Sequence, residues 1–122
     1  MEVLELNHVG IWVENVAASV DFYKNILQFE QLPRPAFDFN GAWFRLGKHQ
    51  ELHILEGRTE KVISHSRKSH FALKVKSIKE TEYFLKNKGL TFTGPKQRPD
   101  GGWQIFVVDP DGYWIEFSEL NY

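Results

Sequence analysis

The sequence contains no cysteine, so disulfide bonds, a thiolate nucleophile and a cysteine-ligated zinc site are excluded. A metal ion in this chain would therefore be held by histidine, carboxylate or backbone oxygen. The 15 basic and 16 acidic residues give a formal net charge of −1, which offers no argument for nucleic acid binding. No apolar run approaches the roughly 18 residues of a membrane span, and no leader pattern is evident. We therefore expect a soluble, cytoplasmic protein.

The pattern of strands and helices occurs twice along the 122 residues. In the first half, alternation and capping signals predict a strand over residues 3–13, a helix over 15–27, and strands near 29–32, 42–46 and 51–56. The polar stretch over residues 57–69 is predicted to be a linker. In the second half, we predict a strand over 69–75, a helix over 77–88, and strands near 91–93, 103–108 and 113–119, with a loop over 94–102.

Each half thus reads strand–helix–strand–strand–strand, which predicts an α+β fold. We expect one domain over residues 1–122, made of two βαβββ modules at about 3–57 and 69–120. The helices should begin at Asn15 and at Ser77, where Ser77 and Glu80 form a capping box. Residues 109–112, Asp-Pro-Asp-Gly, predict a tight turn before the last strand.

The last strand places a carboxylate, Glu116, among aromatic and β-branched residues. Two interpretations are open: an edge strand with one face in water, or a carboxylate that points at a cation. Seven residues separate His8 from Asn15, and seven separate His70 from Ser77. His70 follows His8 by 62 residues, and Glu116 follows His53 by 63. The duplication therefore pairs His8 with His70 and His53 with Glu116.

All four of these residues are predicted to lie on the sheet faces that point away from the helices. The two first-strand histidines are each followed, two residues later, by a small residue, Gly10 or Ala72. A single strand histidine is more often packed or solvated than a ligand, and His49 and His65 are read as solvated. Three imidazoles and one carboxylate at equivalent positions instead predict a site for Zn²⁺, Fe²⁺, Ni²⁺, Co²⁺ or Mn²⁺.

These patterns resemble the vicinal oxygen chelate (VOC) superfamily, which includes glyoxalase I, methylmalonyl-CoA epimerase, extradiol dioxygenases and fosfomycin-resistance thiol transferases. The resemblance rests on LNHVGI at residues 6–11, SVDFY at 19–23, ELHILE at 51–56, HFALKV at 70–75 and DPDGYWIE at 109–116. It implies two βαβββ modules forming a cupped, partly open mixed β-barrel around one divalent metal, with the helices outside. It also implies a homodimer.

The resemblance assigns the metal ligands to His8, His70 and Glu116, and it places His53 where glyoxalase I carries an additional ligand. Glyoxalase I typically has an arginine and an asparagine, used for glutathione, where this chain has Trp12 and Gly57. We therefore do not expect a glutathione conjugate as substrate.

The leading hypothesis is a metal-dependent lyase or isomerase that stabilises an oxyanion of a small substrate with two neighbouring oxygens. Glu116 would be both ligand and proton-transferring base, and Glu56 and Tyr113 are weaker alternatives. Aromatic residues beside an open site predict the substrate contacts, namely Trp12, Phe39, Trp43 and Trp103. Candidates for binding a substrate carboxylate are Arg34, Arg45 and Arg98.

Three other hypotheses stay open at this point. The chain could be a resistance-type protein that sequesters a drug or metabolite, or an extradiol-type dioxygenase. It could also be a structural domain that a metal stabilises. The four candidate ligands favour an enzyme over a sequestering protein, because such binding proteins generally lack a full ligand set.

Overall fold

A computed structural model of the protein describes residues 1–120. The chain divides into two compact units, Met1–Glu60 and Lys61–Tyr122. The first unit contains, in chain order, β1 (His8–Val13), α1 (Val16–Val20), a π-helical segment (Asp21–Ile26), β2 (Gln31–Leu32), β3 (Gly41–Leu46) and β4 (Gln50–Glu56). The second contains β5 (Phe71–Lys74), α2 (Ile78–Asn87), β6 (Thr93–Gln97), β7 (Trp103–Val108) and β8 (Trp114–Glu119). The predicted α+β class and the two βαβββ modules are confirmed.

The first unit is a four-stranded mixed sheet in the order β1-β4-β3-β2. Strand β1 runs parallel to β4, and the other neighbours are antiparallel. One face of the sheet is a buried apolar layer that includes Leu52, Ile54 and Phe44. The helical segment covers this layer, since the ring of buried Tyr23 lies 5.9 Å from that of Phe44. The alternate residues of each strand point to the opposite face.

Regular structure begins later than the sequence alternation predicts, because β1 starts at His8 and residues 1–7 form no strand. The partner strand explains the difference. Strand β4 begins at Gln50, and His8 is already opposite Glu51. A strand needs a neighbour to complete its backbone hydrogen bonds, and β4 begins just where its Glu51 amide donates to the Asn7 carbonyl, at 3.1 Å. The apolar side chains of Val3, Leu4 and Leu6 are exposed.

The first helix begins where predicted. The side chain of Asn15 accepts a hydrogen bond from the Ala18 amide, at 3.0 Å, which satisfies one of the free N–H groups of the first turn. After Val20 the α-helix widens into the π-helical segment. The Leu27 amide donates to the Phe22 carbonyl, five residues earlier, at 2.9 Å. Phe22 and Tyr23 in this segment are both buried.

The second unit repeats the arrangement, with the sheet order β5-β8-β7-β6 and β5 parallel to β8. Strand β8 lies inside this sheet, and it is buried on both faces. Ile115 and Phe117 face the helix side, and Glu116 and Ser118 face the other side, all at most 6% exposed. The interpretation of β8 as an edge strand with one face in water is therefore wrong.

The third strand of this unit also differs from the prediction. Strand β6 covers Thr93–Gln97, whereas the sequence signals favoured a strand at 91–93 and a loop from Gly94-Pro95 onward. Because β6 is the outermost strand, its free edge tolerates a proline that a central strand would not. The pairing with β7 is interrupted between Thr93 and Lys96, as at a β-bulge.

The helix and the turn of the second unit follow their sequence signals. Ser77 Oγ accepts a hydrogen bond from the Glu80 amide at 3.2 Å, so the predicted cap of α2 is confirmed. In the turn before β8, Asp109 Oδ1 accepts from the amides of Asp111 and Tyr113, both at 2.9 Å. Gly112 adopts a φ of 99°, a value that residues with a side chain rarely adopt. Among the described residues, no helix is long and apolar enough to cross a membrane.

Candidate functional site

The strand registers relate the four candidate ligands to each other in the way that the duplication predicts. Gly10 of β1 is paired with His53 of β4. In the second unit, Ala72 of β5 is paired with Glu116 of β8. In both units, therefore, the candidate ligand of the last strand is opposite the small residue that follows the first-strand histidine by two positions. Since residues two apart share a sheet face, each unit presents its two candidates on one face.

In the first unit, the rings of His8 and His53 stack, with centroids 4.0 Å apart and an angle of 15° between the planes. His8 Nδ1 lies 2.7 Å from Asn7 Oδ1. If the ring donates a proton to this amide oxygen, Nε2 carries the free lone pair. The side chain of Asn7 therefore selects the histidine tautomer that could bind a cation through Nε2.

His53 is held on three sides. Besides His8, it stacks against Trp43, with centroids 4.1 Å apart and an interplanar angle of 6°. Its Nε2 donates to Glu51 Oε1 at 2.9 Å, and its side chain is 16% exposed. The bond to Glu51 leaves Nδ1, rather than Nε2, as the ring nitrogen of His53 that could bind a cation.

In the second unit, a histidine and a carboxylate form the corresponding pair. His70 Nε2 lies 3.2 Å from Glu116 Oε1, and the two side chains are 23% and 7% exposed. His70 Nδ1 donates to the Lys68 carbonyl at 2.9 Å. Ser118 Oγ donates to the other carboxylate oxygen, Glu116 Oε2. The backbone thus orients the imidazole, and the serine orients the carboxylate.

This pair combines an imidazole nitrogen and a carboxylate oxygen, two donor types that metal ions accept. With Nδ1 donating to a carbonyl, neutral His70 directs its Nε2 lone pair towards Glu116 Oε1, which is itself rich in electrons. Two such groups at 3.2 Å need a positive charge between or beside them, either a proton on Nε2 or a cation. A backbone carbonyl on the other nitrogen is the usual support of a metal-binding histidine. Each unit thus contains one pair, and residues 1–120 contain no group of three or more histidine and acidic side chains arranged to hold a metal ion.

Four aromatic residues were predicted to contact the substrate, and the structure places them differently. Phe39 and Trp43 line a cavity of about 210 Å³ together with His8 and His53. Trp12 lies on the same face of β1 as His8, with 41% of the residue exposed. Trp103 lines a different cavity, beside the start of α2. It shares a face of β7 with Ile105, whereas Phe106, the strand partner of Glu116, is on the other face.

The alternative base Glu56 has a structural task. Its Oε2 accepts from the Val16 amide at the start of α1, at 2.9 Å, and its Oε1 accepts from Asn40 Nδ2 at 3.0 Å. The bond from the Val16 backbone and, secondarily, that from Asn40 lower the pKa of Glu56 below its ordinary value. A carboxylate held in its charged form by two donors is a poor proton acceptor near neutral pH.

Several groups around the site were not recognised from the sequence. Glu51 precedes His53 by two residues, and Ser118 follows Glu116 by two. The period of a strand could have indicated both, because such residues share a face. No pattern in the sequence indicated that the Lys68 carbonyl would orient His70. His65, predicted to be solvated, is exposed but packs on Trp114, with ring centroids 4.0 Å apart.

Comparisons with known proteins agree with this architecture. The model of the Glyoxalase/Bleomycin resistance protein/Dioxygenase superfamily matches residues 5–117. Lactoylglutathione lyase of Neisseria meningitidis is 32% identical over an alignment of 127 positions, gaps included, that covers 95% of this chain and 91% of that protein. Glyoxylase I 4 of Arabidopsis thaliana is 29% identical over 130 residues, covering 99% of this chain and 74% of the relative.

A crystal structure of a glyoxalase family protein from Bacillus anthracis superposes with a TM-score of 0.85 at 27% identity, covering 99% of this chain and 98% of the other. The match of the family model along nearly the whole chain confirms the resemblance carried by the sequence motifs. The chain belongs to the Glyoxalase/Bleomycin resistance protein/Dioxygenase superfamily.

Proposed function

We propose that this protein is a divalent-metal-dependent enzyme that acts on a small substrate with two neighbouring oxygen atoms, by lyase or isomerase chemistry through an oxyanion. Relatives named as a lactoylglutathione lyase and a glyoxylase support the reaction type. The proposal includes a cytoplasmic homodimer. The metal would be bound by His8, His53, His70 and Glu116, within one chain or across two subunits.

The observation that carries the proposal is the His70–Glu116 pair. His70 Nε2 and Glu116 Oε1 lie 3.2 Å apart, and Glu116 as a whole residue is 5% exposed. A buried carboxylate needs a counter-charge, and among the described residues its polar contacts are His70 and Ser118. One imidazole nitrogen and one carboxylate oxygen, each oriented by a further hydrogen bond, suit Zn²⁺, Fe²⁺, Ni²⁺, Co²⁺ or Mn²⁺.

A bound divalent ion would supply Lewis acidity for an oxyanion at the substrate. The protein residues have complementary tasks. Lys68 fixes His70 through its carbonyl, and Ser118 donates to Oε2 of Glu116, so that Oε1, which faces His70, is the atom proposed to exchange a proton. The ring of Phe106, the cross-strand partner of Glu116, packs edge-on against His70, with ring centroids 5.6 Å apart. Glu116 is accordingly proposed as the base as well as a ligand.

The substrate is proposed to differ from that of the lactoylglutathione lyase. The positions where the resemblance expects an arginine and an asparagine for glutathione hold Trp12 and Gly57. The indole of Trp12 carries no charge, so it cannot replace an arginine at this position. We infer that the substrate is small and carries no glutathione.

The test is the metal content of protein purified without added metal. We expect about one divalent ion per chain in the wild type. His70→Ala and Glu116→Ala should weaken metal binding by more than the roughly 10- to 100-fold that the loss of an outer-shell partner costs, because each removes a direct ligand. His49→Ala is the matched control, because His49 is exposed in the turn between β3 and β4. Wild-type metal content in His8→Ala, His70→Ala and Glu116→Ala would show that the assigned site is wrong.

A further inference from the structure

The segment between β2 and β3 holds an arginine in a fixed position beside the first pair of candidate ligands. The guanidinium carbon of Arg34 lies 4.9 Å from the ring centroids of both Phe37 and Phe39. Arg34 Nη2 donates to the Phe39 carbonyl at 2.9 Å. Two aromatic contacts and one hydrogen bond thus fix the planar group, so little side-chain entropy is left to lose when a ligand binds.

The backbone of β3 is shaped to receive this group. A Cβ atom at Gly41 would lie 3.0 Å from both Cζ and Nε of Arg34, and 2.3 Å from the Ile54 carbonyl oxygen. Because Gly41 has no side chain, the guanidinium can lie close to the sheet. Arg34 is therefore seated on the first strand residue of β3 rather than extended into solvent.

The charge of Arg34 has no acidic partner in the described chain. Arg45 pairs with Glu30 at 3.0 Å, Arg58 with Glu14 at 3.4 Å and Arg98 with Asp100 at 2.7 Å. Within residues 1–120, the polar contact of the Arg34 guanidinium is the Phe39 carbonyl. The other N–H donors of the fork have a geometry that matches a carboxylate in a bidentate hydrogen bond.

The cavity beside Arg34 limits the size and character of what could bind there. It measures about 210 Å³ and is lined by Arg34, His8, His53, Phe37, Phe39 and Trp43, among others. Pockets for drug-sized ligands measure roughly 300–1,000 Å³, so this cavity suits a smaller molecule. A cationic ligand is disfavoured, because Arg34 already lies against the faces of Phe37 and Phe39. The remaining aromatic wall suits a flat, apolar group.

We propose that this cavity binds small organic carboxylates with a planar apolar part, and that Arg34 is the residue that recognises the carboxylate. The inference rests on the proposed function, since it names the substrate class of that same site. Arg34 would hold the anionic end, and Trp43 and Phe37, whose ring centroids are 6.1 Å apart, would contact the planar part. The two neighbouring oxygens of a substrate would then lie next to His8 and His53.

Binding of benzoate and of its neutral counterpart benzamide tests the proposal, using protein as purified and with metal content measured on the same samples. The wild type should bind benzoate at least tenfold more tightly than benzamide. Arg34→Gln should remove this preference, and Arg34→Lys, which keeps the charge but loses the fork, should keep part of it. Arg67→Gln is the matched control and should behave as the wild type, because Arg67 is exposed and does not line this cavity.

Thermal unfolding of each variant separates recognition from folding. A purely structural Arg34 would change the melting temperature and leave the ratio of benzoate to benzamide affinity unchanged, which would overturn the proposal. Equal affinities of the wild type for the two probes, or tighter binding of inorganic phosphate than of benzoate, would also overturn it. Arg34→Gln should retain the wild-type metal content, so failure of the proposed metal site would appear in a different measurement.

Discussion

At the scale of single residues, the clearest electrostatic assignment outside the candidate site is Glu56. Its carboxylate joins the start of α1 to Asn40 through two hydrogen bonds, and these bonds lower its pKa. A lowered pKa in the folded state means that the charged form is bound more favourably in the native protein than in the unfolded chain. The associated stability is therefore fully present above the unfolded-state pKa of a glutamate.

We predict that Glu56→Gln lowers the free energy of unfolding near pH 7. The difference from the wild type should shrink as the pH falls from about 4.5 through the lowered folded-state pKa, because the wild-type carboxylate then becomes protonated too. Urea unfolding at several pH values measures this. Glu60→Gln, a nearby exposed carboxylate, is the control. A destabilisation that stays constant from neutral to strongly acidic pH would contradict this role of Glu56.

Residue-level details of the site could be predicted only in part. The spacing of His8, His53, His70 and Glu116 predicted which residues share a face, because strand alternation depends on sequence alone. The stacking of His53 between His8 and Trp43 depends on the register between three strands. That register is set by backbone pairing that no single stretch of sequence encodes. The position of Arg34 depends in the same way on the path of residues 33–40.

At the scale of elements, caps and tight turns were the most predictable features. Asn15, Ser77 and the Asp-Pro-Asp-Gly turn form the hydrogen bonds that their chemistry predicts, because these bonds connect residues close in sequence. Strand limits were less predictable. The alternation in residues 3–7 extends past the end of the partner strand, and β6 includes a proline because it is an outer strand.

Ser77→Ala should lower the free energy of unfolding by about 1 kcal/mol, since it removes the side-chain acceptor of the Glu80 amide at the first turn of α2. Ser77→Asp is the matched control and should keep most of the stability. Its carboxylate can accept the same hydrogen bond, and a negative charge is stabilising near the N-terminus of a helix. Guanidinium unfolding curves of the three proteins provide the comparison. Equal loss in both variants would indicate that the cap bond does not stabilise α2.

At the scale of the whole molecule, the two βαβββ units carry equivalent pairs at equivalent positions. The register Gly10–His53 in one unit corresponds to Ala72–Glu116 in the other. The last strands differ in one respect, because the first unit supplies an imidazole where the second supplies a carboxylate. Because one last strand carries a histidine and the other a glutamate, the two units together offer both nitrogen and oxygen donors. Such donors suit a transition-metal ion better than Mg²⁺.

The central claim is that histidines from both pairs, with Glu116, bind one metal ion. X-ray absorption spectroscopy of the zinc-loaded protein tests it most directly, because the scattering pattern of imidazole rings counts the histidines bound to the ion. The claim predicts more than one imidazole together with carboxylate oxygen in the wild type, and one imidazole fewer in His70→Ala reconstituted with zinc. A wild-type spectrum with one imidazole or none, or an unchanged spectrum in His70→Ala, would contradict it.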